Sequence, residues 1–303
     1  MELVKDFWRC GISHVDAKQI ISQRSLERAP ITWIPGTKGL QYLADPFGLW
    51  LHNRLHIFAE VFDYISGVGS INVTILGSNL AVLEQRSVLS EPWHLSYPFV
   101  FEAEGDIWMM PEAHESGGLR HYRARGFPFT WERAVDIRLP DVPLDATILR
   151  HDGHWWLFYA PAHPACARLT ALCAAYSSSL HGPWLPHPAN PIYRDERGAR
   201  PGGTPVLIDN IPHLPLQACA GSYGSALRIL RLDHLSRAEI ATTVIGEIPA
   251  PMSAAPYTAG CHTLSAAGPV TLIDVKQRRL SPAALAAWPM RKLRHRRRAA
   301  QFA

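Results

Sequence analysis

The sequence has little cysteine and little charge, and each shortage narrows the options. Five cysteines in 303 residues, with no Cys-X-X-Cys pair, supply neither a zinc ribbon nor a disulfide framework. Their odd number suits a reducing compartment, and Cys10, Cys166, Cys173, Cys219 and Cys261 are each expected to act as small buried hydrophobes. No apolar run is longer than a core strand, so no membrane-spanning helix is expected. The opening residues carry acids early and lack the apolar segment of a secretory leader, so the expected location is cytoplasmic. Charged residues make up only 18% of the chain, with 30 Lys and Arg against 26 Asp and Glu. Much of that excess lies in "RKLRHRRR" at 291–298, and the near-neutral remainder gives no reason to expect a nucleic-acid partner. The basic run is expected to be a solvated terminus with at most a weak contact to an anionic membrane surface.

Several catalytic signatures are missing too. His94, His114, His121, His151 and His154 have no metal-ligand spacing; scattered surface histidines are expected, and no metal. "GSYGSA" at 221–226 lacks the Lys and the following helix of a phosphate loop. Neither Ser96 nor Ser222 sits in a nucleophile elbow. The absence of a nucleotide-binding βαβ pattern counts against a Rossmann-type glycosyltransferase, and no cofactor is expected.

What is present is repetition. The stretch "ADPFGLWLHNRLHIFAE" (44–60) runs from an acidic corner through an apolar strand, a turn and a second strand ending in Glu. "SYPFVFEAEGDIWMMPE" (96–112) and "LDATILRHDGHWWLFYA" (144–160) repeat that order. "RPGGTPVLIDNIPHLPLQ" (200–217) is a degenerate copy, and "GCHTLSAAGPVTLID" (260–274) is a clearer fifth. A period of about 50–60 residues belongs to propeller blades, not to helical solenoids. Strand-like runs such as "SINVTILG", "LRHYRARG" and "SALRILRL" supply the outer strands. Too little sequence follows the fifth copy to finish a blade, and two strand-like runs precede the first. The expected fold is therefore all-β, a five-bladed propeller whose last blade is closed by the N-terminal strands. It occupies 1–280 as a single domain, followed by a basic tail at 281–303. Helical periodicity is confined to short pieces around 16–27 and 281–288.

In such a ring the corners converge on one axial pocket. They contribute Asp45, Tyr97, Asp145, Arg200 and His262, while Glu60, Glu112 and Gln217 end the second strands and His94 precedes the second corner. A polar funnel with aromatic walls suits a sugar, whose hydroxyls need fixed hydrogen-bond partners. Asp45, Asp145 and Glu60 are the catalytic candidates. Asp45 would act as base, Asp145 would orient substrate or tune a neighbour, and Glu60 and Glu112 are the candidate acids. Arg200, Tyr97, His94, Glu112, His262 and Gln217 are the substrate-binding candidates. The Arg200 guanidinium suits two-point contact with a phosphate or carboxylate.

The pieces "ADPF" and "LDATILRHDGHWWLF", with the five-fold period, resemble the propellers of family 43 and family 32 glycoside hydrolases. A larger ordered set is similar to the N-terminal domain of glucosamine inositolphosphorylceramide transferases: "ADPFGLW", "FDYISGVGSINV", "HLSYPFVFEAEGDIWMMPE", "LHGPWLPHPANPI", "ARPGG", "YGSALRI" and "CHTL". That resemblance implies a carbohydrate-active propeller tied to glycolipid or surface-polysaccharide synthesis, acting on a sugar, sugar phosphate or nucleotide sugar, with a separate glycosyltransferase as partner. Two departures stand out: Ala218 replaces an expected acid, and the fourth copy lacks a charged hairpin. Three readings stay open: a transferase or transferase-associated protein, a glycoside hydrolase, and a non-catalytic sugar-binding propeller.

Overall fold

The computed structural model describes residues 4–281. The basic run at 291–298, and all but the first residue of the segment at 281–288, lie outside the described residues. No described helix is long and apolar enough to cross a membrane. The helices are short: Ala17–Gln23, capped by the Asp16 side chain accepting from the Gln19 N–H, and Ala167–Thr170.

Strands build five antiparallel sheets, one for each repeat. The first blade runs Gln41–Leu51, Arg54–Asp63, Val68–Leu76 and Val82–Leu89. The second runs Ser96–Ala103, Asp106–Glu112, Leu119–Gly126 and Thr130–Ile137. The third runs Pro143–His151, His154–Pro161, Ala171–Ser177 and Leu185–Pro186, with Tyr193–Arg194 also pairing its third strand. The fourth runs Val206–Ile208, Ile211–Ala218, Ala226–Leu235 and Ile240–Pro249. The fifth takes Leu264–Ala267 and Val270–Leu280 from one end of the chain, then Val4–Ser13 and Ile31–Trp33 from the other. The N-terminal strand pairs without a break from Val4↔Leu280 to Ser13↔Thr271, and this closes the ring as the repeat count requires.

The local sequence explains the hairpins. Their two central residues are His52-Asn53, Glu104-Gly105, Asp152-Gly153 and Asp209-Asn210, and all eight have positive φ. Such turns match the right-handed twist of the strands they join. Burial falls from inner to outer strands: Arg54–Asp63 is almost wholly buried, whereas Val82–Leu89 is mostly exposed. The core lies in the seams between blades. One cluster spans blades one to three from Phe47 through Met109 to Trp184, and others join three to four, four to five and five to one. Cys10, Cys173 and Cys261 are buried as expected, but Cys166 is exposed and Cys219 half-buried, because both lie in connecting segments.

Candidate functional site

Three blades carry the same irregularity. The register of the first two strands shifts between Ala44 and Phe47, between Ser96 and Phe99, and between Leu144 and Thr147. Inside the shifts Asp45, Tyr97 and Asp145 take φ of 50°, 45° and 47°. A bulge of this kind re-aims a side chain. Left-handed backbone at a non-glycine residue costs on the order of 1–3 kcal/mol, so the surroundings must hold it there. They do: the Asp45 N–H donates to Asp274 Oδ2 at 3.0 Å, and the Tyr97 N–H donates to Asp45 Oδ2 at 3.3 Å.

From these corners separate hydrogen-bonded clusters build up. Thr263 Oγ1 donates to Asp45 Oδ1 at 2.8 Å, with His262 Nε2 3.6 Å from the same oxygen. His262 Nδ1 lies 2.7 Å from Asp274 Oδ2, and Asp274 Oδ1 accepts the His262 and Thr263 N–H groups at 3.0 Å each. The Trp8 ring stacks on His262 at 3.8 Å. In a second cluster Arg200 grips Asp145 at two points, 2.5 and 2.8 Å, and Gln217 Nε2 donates to Asp145 Oδ2 at 2.7 Å. Glu112 Oε1 takes two bonds from His114, through its N–H and Nδ1, each 2.7 Å, while Ser96 donates to Oε2. Glu60 has only His94 Nε2 at 3.6 Å, and its Oε1 accepts no hydrogen bond among the described residues.

These surroundings separate the carboxyls. Burial, then the charges of Asp45, Glu112, Asp145 and Asp274, push Glu60 well above the usual range. Burial raises Asp45 from 3.8 to about 6, with His262 opposing and Asp145 and Asp274 adding to the rise. Burial would also raise Glu112, but the His114 bond and the charges of His114, His94 and Arg200 outweigh it and hold the pKa at about 2. At His262 burial works downward, and the carboxylates of Asp274 and Asp45 overcome it to raise the pKa. Asp45, His262 and Asp274 present atoms within 4.8 Å of one another. That spacing admits a metal ion, yet the hydrogen bonds above satisfy the same atoms without one.

The pH dependence of stability follows from these shifts. Asp45, raised in the fold, favours folding below its ordinary value, and that contribution is lost as pH climbs through about 6. Glu112 is depressed, so its contribution is present above its ordinary 4.5 and is lost as pH falls towards 2. Melting temperature is therefore expected to peak in mildly acidic buffer. The decline between about pH 4 and 6 should shrink in Asp45→Asn when melting is followed by circular dichroism.

The structure places Asp45 with His262 in one cluster, Asp145 with Arg200 and Gln217 in a second, Glu112 with His114 in a third, and Glu60 beside His94. Tyr97 is fully buried. Its hydroxyl donates to the Gly203 carbonyl and accepts the Gly203 N–H, tying the second blade to the segment that leads into the fourth. The two-point contact expected between Arg200 and a ligand goes instead to Asp145, the nearest buried anion. Arg200→Met would leave Asp145, 2% exposed, as an uncompensated buried charge, with an expected loss of about 3–5 kcal/mol. Adding Asp145→Asn should recover much of it in urea titrations. His121, expected at the surface, is fully buried against Phe101, Trp108 and His181. Ala218 lies on the face of its strand that carries Leu216 and Arg228, opposite Gln217, so the missing acid does not empty the axial pocket.

Sequence reading missed Asp274, Thr263 and Tyr223. A signal for Asp274 existed, because it is the last residue of the fifth copy as Glu60 and Glu112 are of the first two. Tyr223 left no periodic trace: it sits in a loop, edge-to-face with His262 and Trp8 at centroid distances of 5.4 and 6.4 Å.

Residues 35–255 match the family described as Glucosamine inositolphosphorylceramide transferase 1, N-terminal. The chain belongs to that family. It is 38% identical over 203 residues to glucosamine inositolphosphorylceramide transferase 1 of Arabidopsis thaliana, across 65% of this chain and 26% of that protein. Identity to the Oryza sativa subsp. indica protein of the same name is 36%, across 65% of this chain and 27% of that one. The chain thus spans about a quarter of the length of these relatives. Among solved structures, Zg3597, a family 117 glycoside hydrolase from Zobellia galactanivorans, matches with a TM-score of 0.56 at 12% identity, over 89% of this chain and 91% of that one. The α-L-arabinofuranosidase from Lactobacillus brevis gives 0.54 at 14% identity, over 75% and 79%. At such identities the likeness is one of fold.

Proposed function

We propose that the axial pocket holds a sugar and transfers it, or prepares it for transfer, in the synthesis of a glycolipid or surface polysaccharide. The observation that carries this reading is the division of labour among its carboxyls. Burial and the neighbouring carboxyls raise Glu60 well above the usual range, the His114 bond and nearby cations hold Glu112 at about 2, and burial raises Asp45 to about 6. Carboxyls whose surroundings push their pKa values apart make an acid and a base. Glu60 would protonate the departing oxygen, and Asp45 would take the proton of the incoming hydroxyl or face the developing positive charge at the anomeric carbon. Arg200 would hold Asp145 in place as a sugar-hydroxyl acceptor. The family name of the relatives supports glycolipid chemistry, with a separate glycosyltransferase as partner.

The glycoside hydrolase reading draws on the same Glu60 and Asp45, with water as acceptor. Calorimetric titration against free sugars, sugar phosphates and nucleotide sugars, with product analysis of the same mixtures, decides the matter. Binding that Gln217→Leu weakens about tenfold through loss of an orienting contact is the expected result. No heat with any ligand would sink the proposal. Release of free sugar selects the hydrolase, and binding without product in every mixture selects a lectin-like module.

A further inference from the structure

Beside the axial cluster lies a hollow of about 380 Å³, bounded by Lys5, Asp6, Tyr64, Ser222, Tyr223 and Arg278. Two tyrosine rings contribute to its walls. Tyr223, 37% exposed, also stands edge-on to the axial residue His262 with ring centroids 5.4 Å apart, so the hollow abuts the axial cluster.

The loop that carries Tyr223 is held from below. Lys276 is fully buried, and its ammonium donates to Ser222 Oγ at 3.3 Å and to the Tyr223 carbonyl, with Asp6 Oδ2 at 3.4 Å. A buried cation tied to loop backbone fixes where the ring stands. Asp6, the one carboxylate among the described residues of this hollow, also meets Arg278 Nε at 3.4 Å. Lys276 and Arg278 thus both offset its charge, and Lys5 adds a third cation. The hollow is net positive, whereas the axial pocket next to it is crowded with carboxyls.

We propose that this rim hollow is a phosphate subsite, and that the ligand of the whole site is a phosphorylated sugar: the ring enters the axial pocket and the phosphate stays at the rim between Tyr64 and Tyr223, facing Lys5 and Arg278. The assignment of the ring rests on the sugar-binding reading above. It also places phosphate recognition away from Arg200, whose fork is engaged with Asp145. A ring loses little by entering among carboxyls because its hydroxyls donate to them, while a phosphate there would meet like charge. At the rim it meets cations in a partly solvated setting, where phosphate contacts are favourable but sensitive to salt.

The test compares glucose and N-acetylglucosamine with their 1-phosphates and with inorganic phosphate, by calorimetry on the wild-type chain and on Lys5→Ser/Arg278→Ser. Both residues stand at one end of the paired strands Val4–Ser13 and Val270–Leu280, and neither belongs to a core seam. A sugar 1-phosphate should bind at least tenfold more tightly than its parent sugar. The double variant should erase that margin and leave the free-sugar affinity unchanged, and added salt should narrow it. UDP-glucose and a glycerophosphate-linked glucose then separate a nucleotide from a lipid source, by which of them binds more tightly. Free sugars that bind as well as their phosphates overturn the rim subsite and leave the sugar pocket standing, as does a margin that survives the double variant. Inorganic phosphate binding as tightly as the sugar phosphates, with no free sugar bound, overturns the joint site and the sugar reading together.

Discussion

Glu60→Gln should lower turnover by about 10²–10⁴-fold, the usual contribution of a positioned general acid, while leaving the protein at least as stable at neutral pH. The two effects share one cause. Glu60 is 5% exposed, its Oε1 has no hydrogen-bond partner among the described residues, and four neighbouring carboxyls push its pKa up. At pH 7 an unfolded chain has released this proton, and the folded chain must recover it or bury a charge. Either course costs stability, and the cost grows as pH rises from the unfolded value through the folded one. Glutamine has nearly the same shape and is neutral in both states, so the substitution removes that cost. It also removes the proton that a leaving oxygen would take. Once a turnover assay is in hand, the pair of measurements is kcat and the melting temperature at pH 7. Undiminished kcat would remove Glu60 from the chemistry; a melting temperature several degrees lower would show that its carboxyl is a structural partner.

The ring was readable in the sequence because a propeller repeats the same local problem five times. Each copy needs a turn with left-handed backbone; in four of them a residue that tolerates it stands at the same place, Asn53, Gly105, Gly153 and Asn210, and the fifth turns at Gly268. Closure was also legible, since the fifth copy stopped short of a full blade and Val4–Ser13 had no sheet of its own. The site was legible as a set of corners and strand ends. Its pairings were not. Nothing near Arg200 in sequence points to Asp145, 55 residues away, and nothing near Tyr97 points to the backbone of Gly203, 106 residues away. Such contacts depend on how blades are rotated about the axis, which a repeat pattern does not encode. The same limit hid the orphaned Glu60 oxygen, because whether a carboxyl finds a donor depends on the neighbouring blade.

Gly203→Ala should cost about 5 kcal/mol or prevent folding altogether, placing it among the rare substitutions that exceed 4 kcal/mol. Gly203 takes φ of 141°, a backbone conformation that side-chain-bearing residues rarely adopt. A Cβ there would lie 1.8 Å from the Leu264 carbonyl oxygen, which belongs to backbone and cannot swing aside. Four blades meet at this one residue. Tyr97 of the second blade bonds both its N–H and its carbonyl, and Thr147 of the third donates to the carbonyl at 2.9 Å. Leu264 of the fifth blade bridges to it in parallel, and the residue itself leads into the first strand of the fourth. Moving Gly203 to admit a methyl group would therefore pull on the Tyr97 corner, whose N–H holds Asp45, and on the strand that carries Asp145. Gly36, where an added Cβ would meet nothing within 4 Å and the backbone is not left-handed, is the matched control and should accept alanine within about 0.5 kcal/mol. Soluble yield and urea titration of the two variants make the comparison. A Gly203→Ala protein as stable as Gly36→Ala would mean that the blades can shift at the axis, and that the fixed geometry assigned to Asp45 and Asp145 is not imposed from there.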